Sequence, residues 1–217
     1  DYLWKEILAK ESLTDIIENY AQIIEKKDEK TGKQKYEQVF PRYHQLMAVR
    51  QLLADIPQSG VGKRYLIQHS AGSGKSNSIT WLSHHLVVLE ENGNNNCDTI
   101  FVITDRRVLD KQLRDNIRRF AQVSNVAGAV TEGSSQLREF IEAGKKIIIT
   151  TIFKFPIVLE VIGDEHRRRK FALIIDESHS SQGGRSAAKM NMVLAEQKDD
   201  AEFDRFESDD DIEEKIN

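Results

Sequence analysis

Residues 64–76 read Arg64-Tyr65-Leu66-Ile67-Gln68-His69-Ser70-Ala71-Gly72-Ser73-Gly74-Lys75-Ser76. The apolar run Tyr65-Leu66-Ile67 reads as a strand, it ends in a Gly/Ser turn, and a helical stretch from Asn77 to Leu89 follows. Holding a phosphate takes several backbone N–H groups aimed at one point, which requires glycines that permit close approach and unusual backbone angles. A helix opening at Lys75 adds the positive end of its dipole. In such a loop Gly72, Ser73 and Gly74 form the cradle, Lys75 reaches the β- and γ-phosphates, and the Ser76 hydroxyl binds magnesium. The full pattern G-x-x-x-x-G-K-[ST] asks for glycine at position 69, where this chain has His69. Gly-x-Gly-Lys-Ser at a strand-to-helix junction still reads as a phosphate site, the alternative being a coincidental turn.

Working outward, short apolar runs alternate with helical stretches between Arg64 and Leu194. After Tyr65-Leu66-Ile67 they are Thr99 to Thr104, Val126 to Val130, Lys146 to Ile152 and Phe171 to Ile175. Runs with apolar residues at consecutive positions suit strands buried on both faces, so an α/β domain is expected, its mainly parallel sheet covered by helices on both sides. Upstream, Leu3, Ile7, Leu8, Leu13, Ile16, Ile17, Tyr20, Ile23 and Ile24 fall at helical spacing and predict an amphipathic helix or two over residues 1–27. The polar stretch Lys26 to Gln38, with Gly32, reads as a surface loop or linker. The domain expectation is a helical connector over 1–35, one α/β lobe over 36–196, and an acidic tail over 197–217 too poor in apolar residues to fold alone.

Phe171 to Ile175 leads into Asp176-Glu177-Ser178-His179. That places two carboxylates at the carboxyl end of a buried strand, where open parallel sheets gather their ligands. Asp176 is suited to hold the magnesium that Ser76 touches, and Glu177 to orient and deprotonate an attacking water. His179 is placed to sense the γ-phosphate, although a lone histidine is more often a structural hydrogen-bonder. Together with the phosphate loop about 100 residues upstream, the acids point to a nucleoside triphosphatase that uses Mg2+.

Composition narrows the class further. The single cysteine, Cys97, excludes a disulfide scaffold and a cysteine-based zinc site, and His84, His85 and His166 lack metal-ligand partners at useful spacing. No apolar run approaches the ~18 residues of a membrane span, so no membrane partner and a cytoplasmic chain are expected. The chain starts at Asp1 without a secretion leader and reads as a piece of something longer. Residues 198–217 hold ten acids and three bases, a net of −7, so the overall −4 leaves +3 on the remainder. Bases gather at Arg106, Arg107, Lys111, Arg114, Arg118 and Arg119, and at Arg167 to Lys170. The body can face a polyanion where the tail cannot, although charge runs are often only solvated helix faces. Trp4 and Trp81 read as packing residues rather than base platforms.

Asp176-Glu177-Ser178-His179 resembles motif II of superfamily 2 helicases and translocases, Gly72 to Ser76 resembles their motif I, and Arg42-Tyr43-His44-Gln45 resembles their adenine-reading Q motif. Over roughly residues 36–195 the chain resembles the motor region of the restriction (R) subunit of type I restriction-modification enzymes. The phosphate loop of that family is commonly preceded by histidine, as in Gln68-His69-Ser70-Ala71-Gly72. Phe40 to Gln45 and Val102 to Gln112 also look like its pattern.

The resemblance implies a RecA-like P-loop lobe that binds ATP and Mg2+ and drives translocation along double-stranded DNA before cleavage, with modification and specificity subunits as partners. It implies that Gln45 hydrogen-bonds the adenine edge with Arg42 in support and an aromatic such as Phe40 or Tyr43 nearby. The alternative for Gln45 is an ordinary surface helix residue. It also implies that Thr104, Asp105 and Arg106, with Arg107 beside them, and Thr150 and Thr151 contact the DNA backbone, as a motor indifferent to sequence requires. The alternative for the last two is that they merely end a buried strand. The second RecA-like lobe does not follow and there is no convincing nuclease motif, so little or no turnover and no DNA cleavage are expected of this chain alone. The rival readings are another superfamily 2 fragment, a small-molecule P-loop kinase, and a DNA- or subunit-binding module without hydrolysis.

Overall fold

A computed structural model of the chain describes residues 3–27, 32–60, 62–91, 94–95, 97–104, 117, 126–130, 134–151 and 169–176. The chain enters through a π-helical turn (Leu3–Ile7) and helix α1 (Lys10–Asn19). An antiparallel hairpin of β1 (Gln22–Lys27) and β2 (Gln34–Val39) follows, then the long helix α2 (Tyr43–Ser59). Helix α3 (Lys75–Val88) and a two-residue ladder of β3 (Glu90–Glu91) with β4 (Asn94–Asn95) come next. The rest is β5 (Thr99–Thr104), β6 (Ala127–Ala129), α4 (Ser134–Glu142), β7 (Ile147–Thr151) and β8 (Phe171–Ile175).

Strands β5 to β8 form one parallel sheet in the order β6-β7-β5-β8. The residues of β5 and β7 are β-branched or aromatic, as in Thr99-Ile100-Phe101-Val102-Ile103-Thr104, and they lie buried on both sides as the consecutive apolar runs require, whereas β8 at the edge of the sheet is half-buried. Their alternation sorts the core into two layers. Ile100, Val102, Ile147, Ile149, Ala172 and Ile174 pack with Leu46 and Val49 of α2, with Trp81 and Leu86 of α3, and with Ile16 and Tyr20 at the amino-terminal end. Phe101, Ile103, Ile148, Leu173 and Ile175 pack on the other side with Leu137 and Ile141 of α4. The expected α/β sheet with helices on both faces is the observed architecture. Gly128 of β6 lets α4 approach closely, since a Cβ there would stand 2.8 Å from the Phe140 ring.

Two expectations are corrected. First, Tyr65-Leu66-Ile67 is not paired into the sheet; the segment is extended and exposed, with Leu66 83% accessible. It is tied instead to the end of α2. Asp55 Oδ2 accepts hydrogen bonds from Lys63 Nζ (2.6 Å), the Tyr65 hydroxyl (2.7 Å) and Ser59 Oγ (2.8 Å), and these hold the Asp55 carboxyl down at a pKa of about 2. Apolar composition signals a strand, but the strand forms only where a neighbouring edge offers hydrogen bonds, and here the polar tether sets the path. Second, Ile23 and Ile24 lie on β1 and the expected linker contains β2, so the boundary at 35/36 falls inside a strand. Helix α1 packs into the lobe.

The seat of α1 is specific. Tyr20, just past its end, is buried between the rings of Trp81 (5.8 Å) and His85 (4.7 Å), and the Trp81 indole N–H donates to the Tyr20 carbonyl at 2.9 Å. Arg50 of α2 pairs with Asp15 at 2.7 Å, donates to Ser12 Oγ at 2.9 Å, and lies over the Tyr20 ring. Burial, with Asp15 adding to it, pushes the Tyr20 phenol up to about 12. Trp81 is thus a packing residue, as its sequence context suggests, whereas Trp4 is exposed.

Candidate nucleotide site

The phosphate loop is built from its backbone outward. Gly72 (φ 73°) and Gly74 (φ 83°) both adopt the left-handed region that side chains disfavour, which turns the chain sharply into α3. Gly74 caps the helix, its carbonyl accepting from Asn77 N at 3.0 Å and Ser78 N at 3.4 Å. The Thr80 hydroxyl bonds back to the Ser76 carbonyl at 2.8 Å. Lys75 and Ser76 therefore occupy the first two positions of α3, half-buried, where the helix presents N–H groups without intrahelical partners.

Asp176 comes from the opposite side of the sequence to the same end of the sheet. Its N–H donates to the Ile103 carbonyl at 2.8 Å, continuing the β5–β8 ladder one residue past the strand, and its side chain is buried. Continuing the alternation of the strands, Thr104, Thr151 and Asp176 fall on the face that carries α2 and α3, while Thr150 falls on the face of α4. Lys75 and Ser76 thus open α3, and Asp176 ends β8 at the carboxyl edge of the parallel sheet, on the face that carries α3.

The loop is braced from α2. Gln45 is 2% exposed; its Oε1 accepts the Arg42 N–H at 2.7 Å, and its Nε2 donates to the carbonyls of Ser73 (3.1 Å) and Gly74 (3.0 Å). His44 Nε2 stands 3.1 Å from the same Ser73 carbonyl, and because a carbonyl only accepts, that nitrogen carries the proton. The His44 ring meets His69 edge-on at 5.0 Å. Burial, with the positive potential of His44 and Lys75 adding to it, lowers the pKa of His69. His44 is a residue that sequence reasoning passes over, and its only signal there is adjacency to Gln45.

Other expected residues stand differently. The Arg42 side chain is exposed, and so are Phe40 and Tyr43. Thr104 and Thr150 are 0% and 1% exposed, their hydroxyls without a hydrogen-bond partner, and Thr151 is buried. By the alternation of the strand, Thr150 and Thr151 fall on opposite faces of the sheet. Glu177, His179, Asp105, Arg106 and Arg107 lie outside the described residues. Among the described residues no cluster of three or more metal-ligating side chains occurs, and no helix is long and apolar enough to cross a membrane.

A glycine turn at the mouth of a helix that a lysine and a serine open, beside a parallel sheet covered by helices, defines the P-loop class of α/β lobe. The sequence model of the SWI2/SNF2 ATPases matches residues 44–199, more than two-thirds of the chain. The chain belongs to the SWI2/SNF2 ATPase family, a branch of the helicase-like superfamily 2 motors. No curated protein matches it.

Proposed function

We propose that the chain is the ATP-binding first motor lobe of a type I restriction enzyme R subunit, which in the whole protein couples ATP hydrolysis to translocation of double-stranded DNA. The observation that carries the nucleotide part is the left-handed turn at Gly72 and Gly74 that delivers Lys75 and Ser76 to the start of α3, and Asp176 at the carboxyl end of β8 is the carboxylate we assign to the same site. The residues fit Mg-ATP. Ser73 Oγ is a buried polar atom without a partner in the cradle itself, and Gly74 leaves no room for a side chain.

In this reading the N–H groups at the start of α3 and the Lys75 ammonium bind the β- and γ-phosphates, and the Ser76 hydroxyl and Asp176 carboxylate hold Mg2+. Bound magnesium offsets phosphate charge. Glu177 orients water and accepts its proton, and His179 contacts the γ-phosphate. Phe40 and Tyr43, both exposed, are the aromatics available to pack on the base. The restriction-enzyme assignment rests on the run Gln68-His69-Ser70-Ala71-Gly72-Ser73-Gly74-Lys75-Ser76 together with Asp176-Glu177-Ser178-His179 and Thr104-Asp105-Arg106-Arg107. Duplex DNA and the modification and specificity subunits are its proposed partners, with Asp105, Arg106 and Arg107 facing the DNA backbone.

Calorimetric titration of Mg-ATP tests the nucleotide part: the parent binds, Lys75→Ala does not, and Glu177→Gln binds like the parent. Equal binding by all three proteins would sink the site assignment. The finer assignment predicts association with modification and specificity subunits in a pull-down and DNA-stimulated ATPase in that complex. A motor stimulated by DNA but indifferent to those subunits would be another superfamily 2 translocase.

A further inference from the structure

Resting on the nucleotide reading above, we infer that His44 and Gln45 are positioning residues that aim the phosphate loop, and that Gln45 does so in place of reading the base. A glutamine amide has two protons to donate and one oxygen to accept with. In Gln45 the oxygen takes the Arg42 N–H, and the nitrogen serves two carbonyls, Ser73 and Gly74. Pairing with an adenine edge takes a donor and an acceptor together. Gln45 could supply them only by giving up the Arg42 N–H and its two bonds to the loop, leaving the Ser73 carbonyl to His44 alone. The amide orientation is fixed by its partners, because an N–H stands on one side and two carbonyls on the other.

The peptide bond explains what the brace accomplishes. In a trans peptide the C=O and the following N–H point in opposite directions. Gln45 Nε2 and His44 Nε2 converge on the Ser73 carbonyl and turn it toward α2, so the Gly74 N–H points away from α2. The hold on the Gly74 carbonyl does the same for the Lys75 N–H. Both N–H groups face away from the brace, as a phosphate held between several N–H donors needs. His44 and Gln45 thereby set the shape of a loop whose glycines, with positive φ, would otherwise sample many conformations.

The experiment separates positioning from base reading with ligands that differ only in the base. Mg-ATP, Mg-GTP and magnesium tripolyphosphate are titrated into the parent, Gln45→Ala, the isosteric Gln45→Glu, which cannot donate, and His44→Ala with its donor-retaining rescue His44→Gln. Circular dichroism confirms the fold of each. Hydrogen exchange of residues 72–78 is followed in the nucleotide-free proteins.

Positioning predicts that Gln45→Ala and Gln45→Glu weaken all three ligands by a common factor on the order of ten. It also predicts an unchanged ATP-to-GTP ratio, faster loop exchange, and recovery in His44→Gln. Loss confined to ATP, with tripolyphosphate binding and loop exchange as in the parent, would overturn the inference and leave the nucleotide site intact. A parent that binds none of the three would overturn the nucleotide reading instead, and loop exchange unchanged by Gln45→Ala would then overturn the brace as well.

Discussion

Gln45 and Gly74 interlock: the glutamine amide donates to the Gly74 carbonyl at 3.0 Å and fills the space that a Cβ on Gly74 would need. Gly74→Ala therefore meets two obstacles, a left-handed backbone (φ 83°) and expulsion of the amide. Gly72→Ala meets only the first, since nothing stands within 4 Å of its Cβ. We expect Gly72→Ala to cost about 1–2 kcal/mol of stability from backbone strain alone. Gly74→Ala should cost more and weaken Mg-ATP by at least tenfold. Urea unfolding and calorimetry on the pair check the order; equal effects would mean that the Gln45 contact contributes nothing.

Asp176 and Lys75 reach the site from different elements and should fail differently. Asp176→Asn removes a magnesium-binding charge but leaves the cradle, so binding of ATP in EDTA should be unchanged while the gain on adding Mg2+ disappears. Lys75→Ala should reduce binding in both conditions. A titration of each with and without metal distinguishes the two patterns, and an Asp176→Asn protein with a normal magnesium gain would remove Asp176 from the site.

The packing of Tyr20 against Trp81 should be readable in stability. Trp81→Ala removes a fully buried indole and is expected to cost about 3–5 kcal/mol. Trp81→Phe keeps an aromatic ring but leaves the Tyr20 carbonyl without its 2.9 Å donor, for roughly 1–3 kcal/mol. Chemical denaturation monitored by circular dichroism gives both values, and a Phe variant as damaged as the Ala variant would show that the hydrogen bond, not the ring, dominates.

Acid should loosen the lobe through its buried imidazoles. Burial, reinforced by the charge of His85 and only partly opposed by the hydrogen bond to the Ile117 carbonyl (3.1 Å), holds His84 down to a pKa of about 4. Unfolded histidine titrates near 6.5, so the unfolded chain takes up the proton first and stability falls as the pH drops from about 6.5 to 4. Stability is fully retained above that window. The loss attributable to His84 should approach about 3 kcal/mol. His69 and His85 are shifted in the same direction by burial. Unfolding curves at several pH values compare the parent with His84→Gln, which keeps an N–H donor without the titration; an unchanged slope in the variant would exclude His84 as a source.

The sheet strands were legible because β5 and β8 carry their burial in composition alone, and their observed bounds coincide with the apolar runs Thr99 to Thr104 and Phe171 to Ile175. The phosphate loop was legible for a related reason: Gly72, Gly74 and Lys75 are constrained by local backbone geometry. Tyr65-Leu66-Ile67 misled because its fate depends on the Asp55 tether, a contact that no periodicity reports. Ile23 and Ile24 fit a helical spacing equally well as part of a strand, and only the pairing with β2 decides between them. The burial of Thr104 and Thr150 was hidden because a hydroxyl at a strand end has the same sequence context whether it faces solvent or core. The brace on Ser73 spans 29 residues, beyond the reach of any motif spacing.

The sheet topology also sets an order of assembly. The phosphate loop and α3 are encoded before any of the four parallel strands, whereas Asp176 reaches its place only when β8 pairs with β5 across 72 residues of chain, a closure marked by the Lys170 N–H on Asp98. Pairings of such long range are slow to form. At 5–20 residues per second, ribosomal synthesis separates Lys75 from Asp176 by roughly 5–20 s. The nascent chain therefore carries the glycine turn and the start of α3 for several seconds before the carboxylate that we propose completes the site has been made.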